Sequence, residues 1–280
     1  MLRKSLWLYR PWYWPVAVAP VVAAALYCGG SLGQVLRVAF VGACLAAYAE
    51  ALNDIFDVDS DRNGTRKSLW GVPLSGGSGV LVKEVAPQAR LFLPLAIAVP
   101  VLAALLMALS LGVPAVSFAC LGLLLASAYS VPPIRLRNRE MLSPFAQGVG
   151  YGGITVALGA SIGGAPPFPF TAAIVLSFCV AALGLTADLL DIEDDRSAGR
   201  HTLVQRVPGS VLVHATTTIG IVIVAVFGYT SRSGALLLPL LAGTVLASRS
   251  IACVWSQGRS PLIHAFTVLS ETALPFVVLS

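Results

Sequence analysis

The stretch from Leu32 to Asp61 reads LGQVLRVAFVGACLAAYAEALNDIFDVDSD, an apolar run with few charges that leads directly into four aspartates. The run from Leu32 to Leu52 is long enough to cross a bilayer as a helix, because about 20 helical residues span the hydrocarbon layer. The aspartates follow where such a helix would reach the membrane surface. The stretch therefore predicts a membrane helix with an acidic end.

The whole 280-residue chain shares this apolar character. Hydrophobic residues make up 57% of it and charged residues 11%, whereas about a quarter of the residues in a soluble domain are charged. The mean hydropathy is +0.84. This composition excludes an ordinary soluble enzyme and predicts an all-α, polytopic membrane protein.

Nine apolar runs of about transmembrane length follow one another along the chain. We interpret them as nine transmembrane helices of a single domain that covers residues 1–280. The runs are residues 12–28, 32–52, 91–109, 113–129, 143–162, 170–190, 211–229, 235–252 and 262–280.

The basic residues fall on alternate connections between these runs. All of the 18 Lys and Arg except Arg37 and Arg232 lie on one side of the predicted membrane. The positive-inside rule makes that side cytoplasmic, together with the N-terminus, and leaves the C-terminus outside. The same asymmetry explains the net charge of +5. Because no soluble segment combines clustered Lys and Arg with aromatic residues, a nucleic-acid partner is excluded.

All of the aspartates fall in two clusters that share the pattern Asp-x-x-Asp-x-x-x-Asp. At about 100° per helical residue, the three aspartates of each pattern lie within roughly 60° of one another on a helix. By the same arithmetic, Asp59 and Glu193 point away from these faces and Asp194 is intermediate. The patterned residues are Asp54, Asp57 and Asp61 in the first cluster, then Asp188, Asp191 and Asp195 in the second.

Such acidic faces at the ends of membrane helices need cations. Like charges on one helix face repel one another, and membrane burial adds a cost of desolvation. Magnesium prefers hard oxygen ligands and is commonly held by a few carboxylates plus substrate phosphates. The six patterned aspartates are therefore the candidate metal-binding and catalytic residues, and Glu50, one turn before Asp54, extends the acidic wall.

Basic residues on the same side of the membrane complement these carboxylates. Arg and Lys bind phosphate well, the first through a bidentate fork and the second as a point charge. For any single one of these basic residues, the positive-inside rule alone explains its position equally well. The candidate substrate-binding residues of the adjoining loops are Arg66, Lys67, Tyr129, Arg135 and Arg137.

With Asn53 before Asp54, both acidic motifs resemble those of the UbiA superfamily of intramembrane prenyltransferases, as does the loop from Tyr129 to Arg137. The resemblance covers essentially the whole chain. It implies magnesium-dependent loss of diphosphate from an isoprenyl diphosphate, followed by attack of a lipophilic acceptor on the allylic cation. It also implies that Asn53 assists the first metal site.

The motifs lie 188 − 54 = 134 residues apart with four runs between them, which predicts two four-helix pseudo-repeats plus a ninth helix. A dry cavity between the repeats would protect the cation from water. Aromatic rings are candidates for stabilising that cation, and each of them is explained equally well by packing. The rings are those of Tyr48, Phe56, Tyr129, Phe145 and Tyr151.

Two other functions compete with this interpretation. A membrane terpene cyclase would use the same fold and metals, but the donor's own double bonds would capture the cation. A cation transporter would need carboxylates along a pathway, and here they stand mainly at one entrance. The sequence leaves open the acceptor, which is an aromatic, a quinone precursor, a tetrapyrrole or an isoprenoid, and also the donor length and the oligomeric state.

Overall fold

The computed structural model describes residues 7–56, 68–69, 72–73, 89–163, 173–178, 180–181, 184–185, 192–197 and 201–207. These residues are helical apart from turns, short connections and a small antiparallel ladder. The ladder pairs Ser68–Leu69 with Val72–Pro73, and the sequence does not predict it. The predicted all-α class is confirmed for the part of the chain that is described.

The first four predicted runs correspond to four helices. They are α1 (Trp14–Tyr27), α2 (Leu32–Phe56), α3 (Ala89–Leu109) and α4 (Val113–Ser130). Two short 3-10 turns, Trp7–Tyr9 and Pro11–Tyr13, precede α1. Helix α2 continues beyond the predicted run, so that Asn53 and Asp54 lie in its last described turn.

The fifth predicted run is a continuous helical rod that changes character along its length. It consists of α5 (Leu142–Gln147), a π-helical stretch (Gly148–Ile154) and α6 (Thr155–Ala160). Beyond it, residues 173–178, 180–181 and 184–185 are helical, followed by α7 (Ile192–Ser197) and α8 (Leu203–Arg206). The last three predicted runs lie outside the described residues, so nine helices and two repeats stay predictions.

Helix α2 packs against α1, α3, α4 and α6. Small and branched apolar side chains fill these contacts, among them Val21, Val38 and Leu158, which are fully buried. Every residue from Thr155 to Gly159 is buried, so α6 is enclosed on all sides. The tight packing leaves the polar end of α2 surrounded by neighbouring helices.

Large apolar side chains cover the outer surface of the described helices. Helices α2 and α4 are each long and apolar enough to cross a membrane, and α1 and the segment Leu93–Leu109 are shorter apolar helices. In α3, Leu95, Leu102 and Leu106 are each more than half exposed. Because exposed leucines in such number are costly in water and favourable in lipid, this surface is suited to a bilayer.

Glycines bring the π-helical stretch into direct backbone contact with residues 173–178. A Cβ atom added at Gly152 would lie only 2.6 Å from the Leu176 carbonyl carbon and from the Ser177 Cα. The backbone of Ser177 also lies against Gly148. Only glycine permits this approach, which fixes the position of the helical segment that precedes the second acidic motif.

Candidate active site at the end of helix α2

The last two turns of α2 direct two carboxylates toward one arginine. Asp54 is completely buried, and Arg10 is buried as well. The Arg10 guanidinium donates a hydrogen bond to Oδ1 of Asp54, and its NH1 lies 3.1 Å from Oε2 of Glu50. As the helical spacing predicts, Glu50 and Asp54 share one side of α2, and the buried guanidinium of Arg10 contacts both carboxylates.

The segment that carries Arg10 is held in place by its neighbours. The Tyr9 hydroxyl donates to the carbonyl oxygen of Ala96 at 3.2 Å, and the Trp14 indole donates to the carbonyl oxygen of Tyr9 at 2.8 Å. Leu8 packs against Ala51 and Ala96. These contacts fix the chain on either side of Arg10 against α2 and α3.

Arg10 itself has an uncommon backbone conformation and a strongly favoured charge. Its φ of 41° lies in the left-handed region, which few residues other than glycine adopt. Burial acts to lower the pKa of Arg10, but the neighbouring Asp54 and Glu50 outweigh burial and hold that pKa above its ordinary value. The guanidinium is therefore positively charged.

The loop after α4 contacts the same end of α2. The Arg137 NH1 donates to Oδ1 of Asn53 at 2.6 Å, and the Arg135 NH2 donates to the carbonyl oxygen of Phe56 at 2.9 Å. Arg135 also has a left-handed φ of 41°. The two arginines that the sequence predicts to bind substrate thus lie beside the start of the first acidic motif.

Tyr129 belongs to a second polar cluster between α4 and α5. The Gln147 amide nitrogen donates to the Tyr129 oxygen at 2.7 Å, and Oγ of Ser143 lies 3.3 Å from the same oxygen. Gln147 in turn lies against Gly184, where an added Cβ would stand 2.7 Å from its Oε1. Gly184 lies shortly before Asp188 in the sequence. This cluster therefore connects Tyr129 to the segment that precedes the second acidic motif.

The π-helical stretch contributes one side chain to the carboxylates of α2. The Tyr151 hydroxyl donates to Oε1 of Glu50 at 3.4 Å. π-Helical turns are rare and occur frequently at functional sites. Of the other rings predicted near the cation, Tyr48 bonds Ser127 at 2.7 Å through its hydroxyl, while Phe145 is 58% exposed. Among these three, Tyr151 alone contacts a carboxylate beside the first motif.

The remaining predicted residues are only partly within the described chain. Asp195 on α7 is 6% exposed. Within the described residues, no group of three His, Cys, Asp or Glu side chains is arranged to hold a metal ion. The complete ligand set therefore stays a prediction, because Asp57, Asp61, Arg66, Lys67, Asp188 and Asp191 lie outside the described residues.

Sequence reasoning missed the roles of Arg10 and Gln147. Arg10 was interpreted only as one of the cytoplasmic basic residues that set the topology. Its position next to the apolar run that begins at Trp12 is the only sequence signal. The sequence signal for Gln147 is clearer, because an amide inside an apolar run of membrane-spanning length needs a polar partner.

The sequence profile described as the UbiA prenyltransferase family matches residues 12–270. The chain belongs to this family. A lycopene elongase/hydratase from Halobacterium salinarum is 28% identical to it over 210 residues, which cover 72% of this chain and 70% of that protein.

Two solved structures of a UbiA homologue from Archaeoglobus fulgidus have a similar fold. The one bound to GPP and Mg²⁺ has a TM-score of 0.74 and is 20% identical, and the comparison covers 99% of both chains. The one bound to DMAPP and Mg²⁺ has a TM-score of 0.75 and is 19% identical, with the same coverage. At these identities, the likeness establishes the shared UbiA fold.

Proposed function

We propose that this UbiA-family protein is a magnesium-dependent intramembrane prenyltransferase that moves an isoprenyl group from an isoprenyl diphosphate to a lipophilic acceptor and releases diphosphate. The observation that carries the proposal is the completely buried Asp54 at the end of α2, beside Asn53 and within a cluster of arginines. Burying a carboxylate is costly, and buried ionisable residues of membrane proteins usually serve function.

The donor atoms at this end of α2 fit a hard divalent cation. Asp54 and Asn53 offer carboxylate and amide oxygens, the ligand types suited to Mg²⁺. We infer that Asp57 and Asp61 complete the first metal site, and that Asp188, Asp191 and Asp195 form the second. When bound, the magnesium ions neutralise the developing charge on the diphosphate leaving group.

The basic residues would hold and orient the diphosphate. The Arg137 guanidinium donates to Asn53, and the fork of N–H donors on a guanidinium is suited to bidentate contact with phosphate. Arg135 is anchored on the Phe56 carbonyl in the same way. We infer that Arg66 and Lys67, which follow the first motif in the sequence, bind the same group, and that Tyr129 lines its approach.

The ligands and names of similar proteins support this assignment and suggest where to begin with the acceptor. The homologue from Archaeoglobus fulgidus was solved with GPP or DMAPP and with Mg²⁺. The relative from Halobacterium salinarum is named as a lycopene elongase/hydratase, which makes an isoprenoid the first acceptor class to test. Aromatic, quinone-precursor and tetrapyrrole acceptors follow.

The proposed enzyme is a multi-pass protein of the cell membrane. We infer that residues 1–280 form one domain of nine transmembrane helices, arranged as two four-helix repeats and a ninth helix. The mouth of the site and the N-terminus would face the cytoplasm, because the basic loops lie on that side. An isoprenyl tail would then extend from the mouth into the dry interior between the helices.

Activity of the purified protein tests this function directly. The protein in lipid nanodiscs is incubated with Mg²⁺ and donors of several chain lengths, with and without each acceptor class, and products are identified by mass spectrometry. We expect acceptor-dependent prenylation that stops on chelation of the metal. Products formed equally well without any acceptor would instead establish a terpene cyclase.

Variants at the two motifs provide the residue-level test. Asp54→Ala and Asp188→Ala should each abolish diphosphate release, because each removes a metal ligand. Glu140→Gln is the matched control, since its carboxylate pairs with Arg206 at 2.8 Å outside both motifs. Near-normal turnover in either aspartate variant would refute the two-motif mechanism.

A further inference from the structure

Arg10 contacts the carboxylate that the proposed function assigns to the first metal site. Its guanidinium donates to Asp54, lies 3.1 Å from Glu50, and is buried with both of them. One positive charge thus lies against two negative charges in an environment of low dielectric. Any divalent cation that binds Asp54 must enter beside this guanidinium.

We propose that Arg10 competes with the divalent cation for the carboxylate of Asp54 and thereby sets the metal affinity of the first acidic motif. This inference rests on the proposed function, because it takes Asp54 as a metal ligand. It adds a role for a residue outside both motifs. Arg10 is a positioning residue in this scheme and touches neither substrate nor the reacting atoms.

The competition follows from electrostatics. Two cations on one carboxylate repel each other, and the repulsion is much stronger in a buried site than in water. Metal binding therefore weakens the bond between Arg10 and Asp54. Glu50 offers a second anchor 3.1 Å from the same guanidinium, so Arg10 can shift its interaction from Asp54 toward Glu50 without becoming a buried charge that lacks a partner.

The fold restricts this shift to the side chain of Arg10. The backbone on either side is held by the bonds from Tyr9 to Ala96 and from Trp14 to Tyr9, and by the packing of Leu8. The segment therefore cannot withdraw to remove the competing charge. As a result, the charge of Arg10 stays near Asp54 whether or not a metal is bound.

Binding of Mn²⁺, followed by electron paramagnetic resonance in the absence of substrate, measures this effect without relying on turnover. The variants are Arg10→Gln, Arg10→Lys and the control Arg37→Gln. Arg37 is exposed and donates to carbonyl oxygens of Gly33 and Ser110, so its loss should not alter binding. Removal of the charge in Arg10→Gln should tighten Mn²⁺ binding by about tenfold or more, the scale of coupling within one charged network.

Thermal unfolding provides a second readout, and it also shows whether the variants are folded. Arg10→Gln should melt at a lower temperature without metal, because it leaves two buried carboxylates without their cation. Addition of Mn²⁺ should also raise the melting temperature of Arg10→Gln by more than it raises that of the wild type. Arg10→Lys keeps a charge but loses the bidentate fork, so its Mn²⁺ affinity should lie between those of the wild type and Arg10→Gln.

The outcomes separate this inference from the proposed function. Equal or weaker Mn²⁺ binding in both Arg10 variants, with binding intact in the wild type, would overturn the competition and leave the metal site standing. If neither the wild type nor any variant bound Mn²⁺, even with diphosphate present, the proposed metal-dependent function would itself fail.

Discussion

The substitution Gly152→Ala tests the contact between the π-helical stretch and residues 173–178. The added methyl carbon would stand 2.6 Å from the Ser177 Cα and from the carbonyl carbon of Leu176. Both are backbone atoms, which cannot move aside by changing rotamer. The helix that precedes the second acidic motif would have to shift as a unit.

The size of the effect follows from two opposing contributions. Forcing extra methyl or methylene groups into a packed interior typically costs about 1–3 kcal/mol, and rigid backbone neighbours put this site at the upper end. Alanine is intrinsically favoured over glycine in a helix by about 1 kcal/mol. We therefore expect Gly152→Ala to lower the free energy of unfolding by about 2 kcal/mol. It should also remove most of the proposed prenyl-transfer activity.

Gly150→Ala is the matched control within the same stretch. Its Cβ would meet the Leu125 Cδ2 at 3.5 Å, an ordinary contact, so the variant should be as stable as the wild type or slightly more so. Reversible unfolding in mixed micelles of rising SDS content compares the three proteins. Equal stability of the two variants would refute the backbone contact and the placement of residues 173–178 against the rod.

Three further predictions concern the site and the topology. Helical phase predicts that Asp57 faces the metals and that Asp59 faces away from them, so Asp57→Asn should lower turnover by orders of magnitude and raise the Mg²⁺ requirement, while Asp59→Asn should be mild; equal damage at saturating Mg²⁺ would contradict this predicted phase. Arg137→Leu removes the 2.6 Å bond to Asn53 and the guanidinium that we propose contacts the diphosphate, so it should raise the KM for the isoprenyl diphosphate about tenfold; an unchanged KM would exclude a direct role. A cysteine at Asn138 should react with a membrane-impermeant label only from the cytoplasmic side and one at Gly164 only from outside, whereas labelling from the same side would disprove the span count.

Features set by local periodicity were predictable from the sequence. Hydropathy located the first four helices, because a membrane-spanning run has a fixed minimum length. The period of the α-helix correctly put Glu50 and Asp54 on one side of α2. Arg135 and Arg137, which the sequence puts on the same side of the membrane as the acidic motifs, contact the end of α2, and their binding of phosphate stays a prediction.

Features set by contacts between distant residues were not predictable. Arg10 and Asp54 are 44 residues apart, and nothing near Arg10 in the sequence encodes its partner. Topology alone accounts for its basic character, so only its position beside the first apolar run hints at a second role. Gln147 and Tyr129 pair across two helices for the same reason: the fold, and not the local pattern, brings them together.

The π-helical stretch from Gly148 to Ile154 also changes how positions along the fifth rod can be compared. A π-helix accommodates an additional residue between hydrogen-bonded partners relative to an α-helix. Counting by the α-helical period therefore assigns residues after the stretch, such as Thr155, to the wrong side relative to residues before it, such as Phe145. Deleting one residue inside the stretch would restore the α-helical count and leave α5 and α6 facing the same neighbours. In a relative whose fifth helix is regular, the correct alignment with this chain would contain a gap at these glycines.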